Sequence, residues 1–324
     1  MLLAGDVGGT KTLLGLFERG VPRPRQIVVH AYATGDFASF TGILDAFARD
    51  VHQPFSLDAA VIGVAGPVVD NTARLTNIAW NVSASAITTR FGTNRIRLLN
   101  DLEAMGHSVE VLGGDEILVL QDGVPDAAGN AAIIAAGTGL GQTFLHRVNG
   151  RLIPVASEAG HADFAARTDR ELELVRMLRD RYGRASVEHV LSGPGLLNLH
   201  RLTHRGGECE IVQGVPEHDA PARISMAGMA GRCQGCVEAL RMLVSAYGAE
   251  AGNMALRGVT RAGVYLGGGV APKILPILRN GLFMEAFRDK GVMSNLVARV
   301  PVKVILNPDA GLLGAAVDAQ SMCV

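Results

Sequence analysis

The stretch LLAGDVGGTKTLLGLF, residues 2–17, decides which fold the chain can adopt, because two apolar runs flank one glycine turn. The turn has the composition of a phosphate-binding P-loop, but Thr10 stands where that motif needs a glycine before Lys11. A P-loop also leads into a helix, whereas the apolar residues after Lys11 predict a second strand. The stretch therefore predicts a β-hairpin with an acid, Asp6, placed just before its turn.

The composition predicts a reduced, globular protein of about two domains. The 324 residues are 48% hydrophobic and 19% charged, which is enough apolar sequence for a sizeable core. The net charge of -1 gives no sign of a basic surface that would bind nucleic acid or anionic lipid. No apolar run of about 18 residues exists, so no membrane span is expected. Four cysteines are too few for a disulfide framework, and strand-like sequence starts at Leu2 without a basic leader. A cytoplasmic location is the expectation.

Alternation of apolar strands and amphipathic helices along the chain predicts an α/β protein. An early helix, with Phe40, Leu44 and Phe47 on one face, is expected to be capped by Asp36. The later stretch NAAIIAAGTGLGQTFLH repeats the strand, turn and strand of the opening, which indicates a duplicated core. We predict a smaller α/β domain of residues 1–112 plus 300–324, and a larger one of residues 113–299.

Three glycine-rich turns follow apolar strands: Gly8-Gly9-Thr10, Gly137-Thr138-Gly139 and Gly267-Gly268-Gly269. In open α/β sheets, ligands bind outside the carboxyl ends of strands, where backbone N–H groups are available. Two facing hairpins would hold a polyphosphate from both sides, and the third turn could hold the rest of a nucleotide. The alternative, that each glycine only permits a tight turn, stays open for any single loop.

A second group of polar residues stands in short phrases beside strands and turns: Asn100, Asp101, Glu158, His161 and Glu188. Carboxylates accept hydrogen bonds from vicinal hydroxyls, and Asn and His can donate or accept, so the set suits a neutral polyol such as a sugar. Each residue also has an ordinary alternative. Asp101 could cap a helix, Glu188 could favour a helix dipole, and His161 could be structural.

The pair Cys233-Gln-Gly-Cys236 stands at the start of a long helical pattern. A structural zinc site needs two further ligands, and no second C-x-x-C is present in the sequence. The sequence therefore favours inert helix cysteines.

Seven motifs occur in the order found in the bacterial glucokinases: GDVGGTKTLLGLF, LLND, AAGTGLG, EAGH, VEHVLSGPGL, YLGGGVAPK and NPDAGLLGAA. The chain resembles that family, part of the hexokinase, actin and heat-shock-chaperone superfamily, over almost its whole length. The resemblance implies a two-domain actin-like ATPase fold of the ribonuclease-H-like class, with an interdomain cleft. It also implies phosphorylation of glucose at the 6-hydroxyl by ATP with magnesium, in a cytoplasmic homodimer.

The resemblance assigns roles to the two groups of residues. Asp6, Gly8, Gly9 and Thr10 look like the first phosphate loop, with Asp6 orienting Mg²⁺ through water. Residues 137–139 look like the second phosphate loop, and residues 267–269 like the adenosine loop. The five polar residues resemble the glucose ligands, with Asp101 as general base. One departure lies at Ser157-Glu158-Ala159-Gly160-His161, where many relatives have Gly-Glu-Gly-Gly-His.

Other functions remain compatible with parts of this pattern. A kinase for another hexose, such as mannose or N-acetylmannosamine, would share the fold and the loops. An actin-like or chaperone-like ATPase would use the same phosphate loops without the polyol-binding set. A catalytically silent sugar sensor would keep that set and would not need Asp101.

Overall fold

A computed structural model of the chain describes residues 1–52, 54–75, 78, 80–205, 207 and 209–323. Its contacts divide the chain into two units: residues 1–114 with 152–156 and 307–324, and residues 115–151 with 157–306. The second boundary differs from the predicted one at residue 300, because the strand Val302–Ile305 pairs within the second unit. The short return of residues 152–156 to the first unit was not predicted.

The elements of residues 1–114 are mainly strands, with helices between them. They are β1 (Leu2–Val7), β2 (Lys11–Glu18), β3 (Arg25–Ala33), α1 (Phe40–Asp50), β4 (Ala59–Val64), β5 (Val68–Val69), β6 (Thr72–Arg74), β7 (Asn81–Ser83), α2 (Ala84–Phe91), β8 (Ile96–Asn100) and α3 (Asp101–Ser108).

The remainder of the chain contains more helix. Its elements are β9 (Ile117–Gln121), β10 (Ala131–Ala136), β11 (Leu140–Val148), β12 (Arg151–Val155), α4 (Asp169–Tyr182), α5 (Gly193–Thr203), α6 (Ala220–Met229), α7 (Gln234–Gly258), β13 (Gly263–Gly267), α8 (Val270–Lys273), α9 (Leu275–Leu278), α10 (Leu282–Arg288), α11 (Ser294–Val297), β14 (Val302–Ile305) and α12 (Ala310–Ser321).

The first unit is built on a five-stranded sheet with the strand order β3-β2-β1-β4-β8. The opening hairpin is confirmed, since β1 and β2 pair antiparallel from Leu2 opposite Phe17 to Val7 opposite Thr12. Strands β1, β4 and β8 run parallel, and Val7, Val64 and Asn100 lie in register at their carboxyl ends. The residues that follow these strands therefore share one edge of the sheet.

Four strands of the second unit repeat the pairing of β2, β1, β4 and β8. Five of its strands lie in the order β11-β10-β13-β14-β9, with β10 antiparallel to β11 and parallel to β13. The predicted second hairpin is thus confirmed, with Ala136 opposite Leu140 across its turn. Helix α7 packs beneath the sheet, where the fully buried Tyr247 hydroxyl donates to the Ile134 carbonyl oxygen at 3.1 Å.

The predicted cap of α1 was wrong. Asp36 ends a short 3-10 turn, Thr34–Asp36, and the helix begins at Phe40 after Ser39, whose hydroxyl accepts from the Gly42 N–H at 3.3 Å. The long helix predicted near residues 232–259 is confirmed as α7. Among the described residues, no helix is both long and apolar enough to cross a membrane.

Candidate functional site

Two aspartates of the first unit, Asp101 and Asp309, lie close enough to a third, Asp6, to act on its charge. Asp6 is on β1, Asp101 begins α3 directly after β8, and Asp309 precedes α12. Burial, followed by the negative charges of Asp101 and Asp309, raises the pKa of Asp6 to about 6, although Lys11 opposes this. The fold therefore holds two carboxylates close enough to Asp6 to repel its negative charge, which is costly without a counter-charge.

This donor set fits a magnesium ion. Mg²⁺ prefers carboxylate oxygen and keeps several of its waters, so it needs few protein ligands. A divalent cation would relieve the repulsion that Asp101 and Asp309 exert on Asp6. Asp309 was not among the predicted site residues, although its position in a turn between β14 and α12 matches that of the other aspartates at strand ends.

Hydrogen bonds from Thr34 fix the backbone of the first glycine turn. The Thr34 hydroxyl donates to the Gly8 carbonyl oxygen at 2.9 Å, and the Thr34 N–H donates to the Thr10 carbonyl oxygen at 2.9 Å. The Gly8 N–H closes the turn onto the Lys11 carbonyl oxygen at 3.0 Å. Thr34 is buried while Thr10 is exposed, so the turn is fixed on its inner side and open on its outer side.

Asn100 is the N-cap of α3. Its side-chain oxygen accepts from the Leu102 N–H at 3.0 Å, and the Glu103 carboxylate accepts from the Asn100 N–H at 3.0 Å, which completes a capping box. Its amide also donates to the Gly66 carbonyl oxygen at 3.3 Å. The capping role considered for Asp101 thus belongs mainly to Asn100. Asp101 is the first helical residue, and its Oδ1 also accepts from the Leu102 N–H, at 2.9 Å.

The second unit brings Glu158, His161 and Glu188 together. Nε2 of His161 lies 4.0 Å from Oε2 of Glu158, and Nδ1 of His161 lies 3.9 Å from Oε1 of Glu188. The imidazole therefore stands between two carboxylates. The Glu158 and His161 side chains are 63% and 60% exposed, whereas Glu188 is 29% exposed, so the group is accessible to a ligand.

The second glycine turn is joined to Glu188. The Leu140 N–H donates to Oε2 of Glu188 at 2.8 Å, and the Gly193 N–H donates to the Gly137 carbonyl oxygen at 2.8 Å. A Cβ at Gly139 would lie only 2.7 Å from Oε2 of Glu188, so any larger residue there would have to displace that carboxylate. Thr138 at the tip of the turn is exposed. The loop and the Glu188 carboxylate thus form one structural piece.

The third glycine turn packs against the second hairpin. Gly268 has φ of 76°, and a Cβ there would lie 2.4 Å from the Ala136 carbonyl oxygen. Only glycine meets both requirements without strain. Gly267 ends β13 and Gly269 precedes α8, so this turn leads into a helix as predicted.

The structure therefore groups the predicted residues in two sets. Asp6, the first glycine turn, Asn100 and Asp101 belong to the first unit, with Asp309 added by the structure. The other two glycine turns belong to the second unit together with Glu158, His161 and Glu188. Each set combines partly exposed glycine turns with carboxylates, a combination suited to phosphate, metal ion and hydroxyl groups.

Comparison with known proteins adds an independent result. The family model described as Glucokinase matches residues 3–322. A glucokinase of Synechocystis sp. is 38% identical, covering 98% of this chain and 97% of its own length, and one of Nostoc sp. is 37% identical, covering 99% of each. The crystal structure of a glucokinase from an Antarctic psychrotroph is 28% identical, with a TM-score of 0.86 over 99% of this chain and 98% of its own. The predicted actin-like fold class is thereby confirmed.

Proposed function

This chain belongs to the glucokinase family, and we propose that it transfers the terminal phosphoryl group of ATP to the 6-hydroxyl of glucose. One observation of the structure carries the proposal. The polar group of Glu158, His161 and Glu188 is joined to the second glycine loop through the 2.8 Å bond from the Leu140 N–H to Glu188. Hydroxyl-binding carboxylates built onto a phosphate-type loop are what a sugar kinase requires.

We assign the polar group of the second unit to the ring hydroxyls of glucose. The Glu158 and Glu188 carboxylates accept hydrogen bonds from hydroxyls, and the His161 imidazole donates or accepts according to its tautomer. An ATPase that binds no sugar has no need for a half-exposed imidazole held between two carboxylates. This favours the sugar kinase over the actin-like ATPase.

We assign the three glycine turns to ATP. Backbone N–H groups near the exposed residues Thr10 and Thr138 of the two hairpin turns would bind the phosphates, and the turn at Gly267–Gly269 would bind the adenosine part. Phosphoryl transfer depends mainly on positioning and on stabilising the charge of the transferring group. A turn whose backbone is already held by hydrogen bonds, as Thr34 holds the first turn, suits that task because its backbone needs little ordering when ATP binds.

Asp101 is our candidate for the general base. It follows β8 at the sheet edge, and its charge acts on Asp6, which places it beside the carboxylate we assign to magnesium. The 6-hydroxyl loses its proton as its oxygen bonds to phosphorus, and a positioned carboxylate can accept that proton. Asn100 then contributes by holding the start of α3, and so the position of Asp101.

We propose that the carboxylates of the first unit bind magnesium. Asp6 would hold it through water, with Asp309 near by, and the ion would supply positive charge to the phosphates of ATP. We further propose a cytoplasmic location, since none of the four cysteines forms a disulfide and the proposed substrates are metabolites. The homodimer implied by the family resemblance is likewise part of this proposal.

A panel of sugars tests the choice of substrate. ADP release, coupled to an indicator reaction, is measured with glucose, mannose, N-acetylmannosamine and no sugar. We expect glucose to give the highest kcat/KM, because a site that hydrogen-bonds each hydroxyl rejects an altered one by orders of magnitude. A higher kcat/KM with mannose or N-acetylmannosamine would make the chain a kinase for that hexose. Equal ADP release with and without sugar would return it to the ATPases.

A further inference from the structure

Two histidines and three cysteines of the second unit gather at one place in its helical part. The His–Cys cluster consists of His200, His204, Cys209, Cys233 and Cys236. Ligand atoms of four of them, all but Cys233, lie within 4.8 Å of one another. The thiol of Cys233 completes the group, since its Sγ lies 3.2 Å from Nε2 of His204 and 3.9 Å from Sγ of Cys209.

Three separate elements supply these side chains. His200 lies in the last turn of α5, and His204 directly follows that helix. Cys233 precedes α7 and Cys236 lies in its first turn, while Cys209 comes from the connection after α5. His200 and His204 are four residues apart at the end of α5, so their side chains lie on one face, close to Cys236 of the C-x-x-C pair.

The two imidazoles are prepared to act as ligands. Nδ1 of His204 is bonded to the His200 carbonyl oxygen at 2.9 Å, which makes Nδ1 the donor and leaves Nε2 without a proton, facing Cys233. His200 is only 5% exposed, and its Nε2 has no hydrogen-bond partner among the described residues. A buried polar atom without a partner is costly, so a bound ligand would account for it.

We propose that the His–Cys cluster binds one zinc ion through His200, His204, Cys209 and Cys236. Two imidazoles and two thiolates are a common structural zinc set, and tetrahedral bonds of about 2.0–2.3 Å place the donor atoms roughly 3.4–3.8 Å apart. The present ligand atoms lie within 4.8 Å of one another, so binding would draw the widest pair together by about 1 Å. Thiolate and imidazole select zinc over Mg²⁺ or Ca²⁺, which prefer oxygen.

The role of this zinc is structural. Helix α5 begins at Gly193, whose N–H is bonded to the second glycine turn, and His200 lies about 10 Å further along it. The ion would join the far end of α5 to the start of α7, away from Glu188. We therefore expect zinc to stabilise the second unit without taking part in phosphoryl transfer.

Metal content tests this directly. The full chain is purified under reducing conditions without an affinity metal, and zinc is measured by mass spectrometry. We expect about one zinc ion per chain. After chelation, added Co²⁺ should produce the sulfur-to-cobalt charge-transfer band and the visible bands of a tetrahedral thiolate site. Zinc should raise the Tm of the chelated protein by about 5–10 °C at a hundredfold excess over its Kd.

Two serine substitutions provide the matched comparison. Cys209→Ser removes a partly buried ligand, so zinc should fall well below one ion per chain and the cobalt band should weaken. Cys323→Ser removes the cysteine outside the cluster and should change neither. Equal metal content in both variants, or a reduced wild-type protein that binds neither zinc nor cobalt, would overturn the proposal. So would a Cys209–Cys233 disulfide that forms in place of metal binding.

Discussion

Replacing Asp101 by Asn separates the two roles that a carboxylate at the start of α3 can have. Asn is nearly the same size and still accepts a hydrogen bond from the Leu102 N–H, as Asp101 Oδ1 does at 2.9 Å. It cannot accept a proton from a sugar hydroxyl. Since general-base catalysis contributes about 10²–10⁴-fold, kcat should fall by at least roughly a hundredfold, or about 2.7 kcal/mol in the barrier.

The stability of Asp101→Asn should hardly change. The cap of α3 rests on Asn100, which keeps its bonds to Leu102 and Glu103 in this variant. We therefore expect a change within about 0.5 kcal/mol in the free energy of unfolding. Asn100→Ala is the converse variant, because it removes the cap side chain and should cost about 0.5–2 kcal/mol.

Steady-state kinetics and urea unfolding of the two variants give the comparison. The expected pattern is a large loss of kcat with near-normal stability for Asp101→Asn, and a clear loss of stability for Asn100→Ala. A near-normal kcat in Asp101→Asn would refute the assignment of the base. If Asp101→Asn instead lost as much stability as Asn100→Ala, the negative charge of Asp101 at the start of α3 would be the feature that stabilises the helix.

Three further substitutions test other parts of the site. Glu158→Gln should raise the KM for glucose strongly and leave ATP binding, measured by calorimetry, unchanged. The reason is that the exposed Glu158 carboxylate is assigned to sugar alone. An unchanged KM for glucose would remove Glu158 from the sugar site. Gly139→Ala should lower kcat/KM on the order of tenfold to a hundredfold, since the new Cβ, 2.7 Å from Oε2 of Glu188, displaces that carboxylate by roughly 0.7 Å. Gly35→Ala, at a position with open space, is the control. Equal kinetics in the two variants would contradict the link between the second glycine turn and Glu188. Asp6→Asn should raise the Tm of the protein at neutral pH without divalent cations, and should leave it unchanged near pH 4. The reason is that the pKa of Asp6 is raised in the folded protein, so the wild-type fold loses stability as pH rises from 3.8 to about 6. A difference in Tm that did not depend on pH would contradict this linkage.

Both hairpins could be predicted from the sequence, because each joins two apolar strands through a short glycine turn. The turn fixes the antiparallel pairing, and the apolar runs fix burial. The pairing of Leu2 with Phe17 and of Ala131 with Leu145 follows from these local rules.

The cap of α1 could not be chosen by the same rules. Asp36 and Ser39 are both good N-cap residues, three positions apart. The choice depends on Thr34, which is buried against the first glycine turn and draws residues 34–36 into a 3-10 turn. That contact joins residues far apart in sequence, so propensity cannot reveal it.

The same limit applies to the sites. Asp309 approaches Asp6 only because α12 packs on the first sheet, some three hundred residues after β1. Likewise, His200 and His204 reach Cys236 through the packing of α5 on α7. The C-x-x-C pair was visible in the sequence, but its histidine partners follow no metal-binding spacing relative to it.

The identity of the product tests the central claim most directly. Purified protein is incubated with glucose, ATP and Mg²⁺, and the product is examined by phosphorus and carbon nuclear magnetic resonance. We predict a phosphomonoester coupled to carbon 6 of glucose, formed in equal amount with ADP, and no such product from 6-deoxyglucose. Phosphate on another hydroxyl, or ADP and free phosphate without a sugar phosphate, would contradict the account.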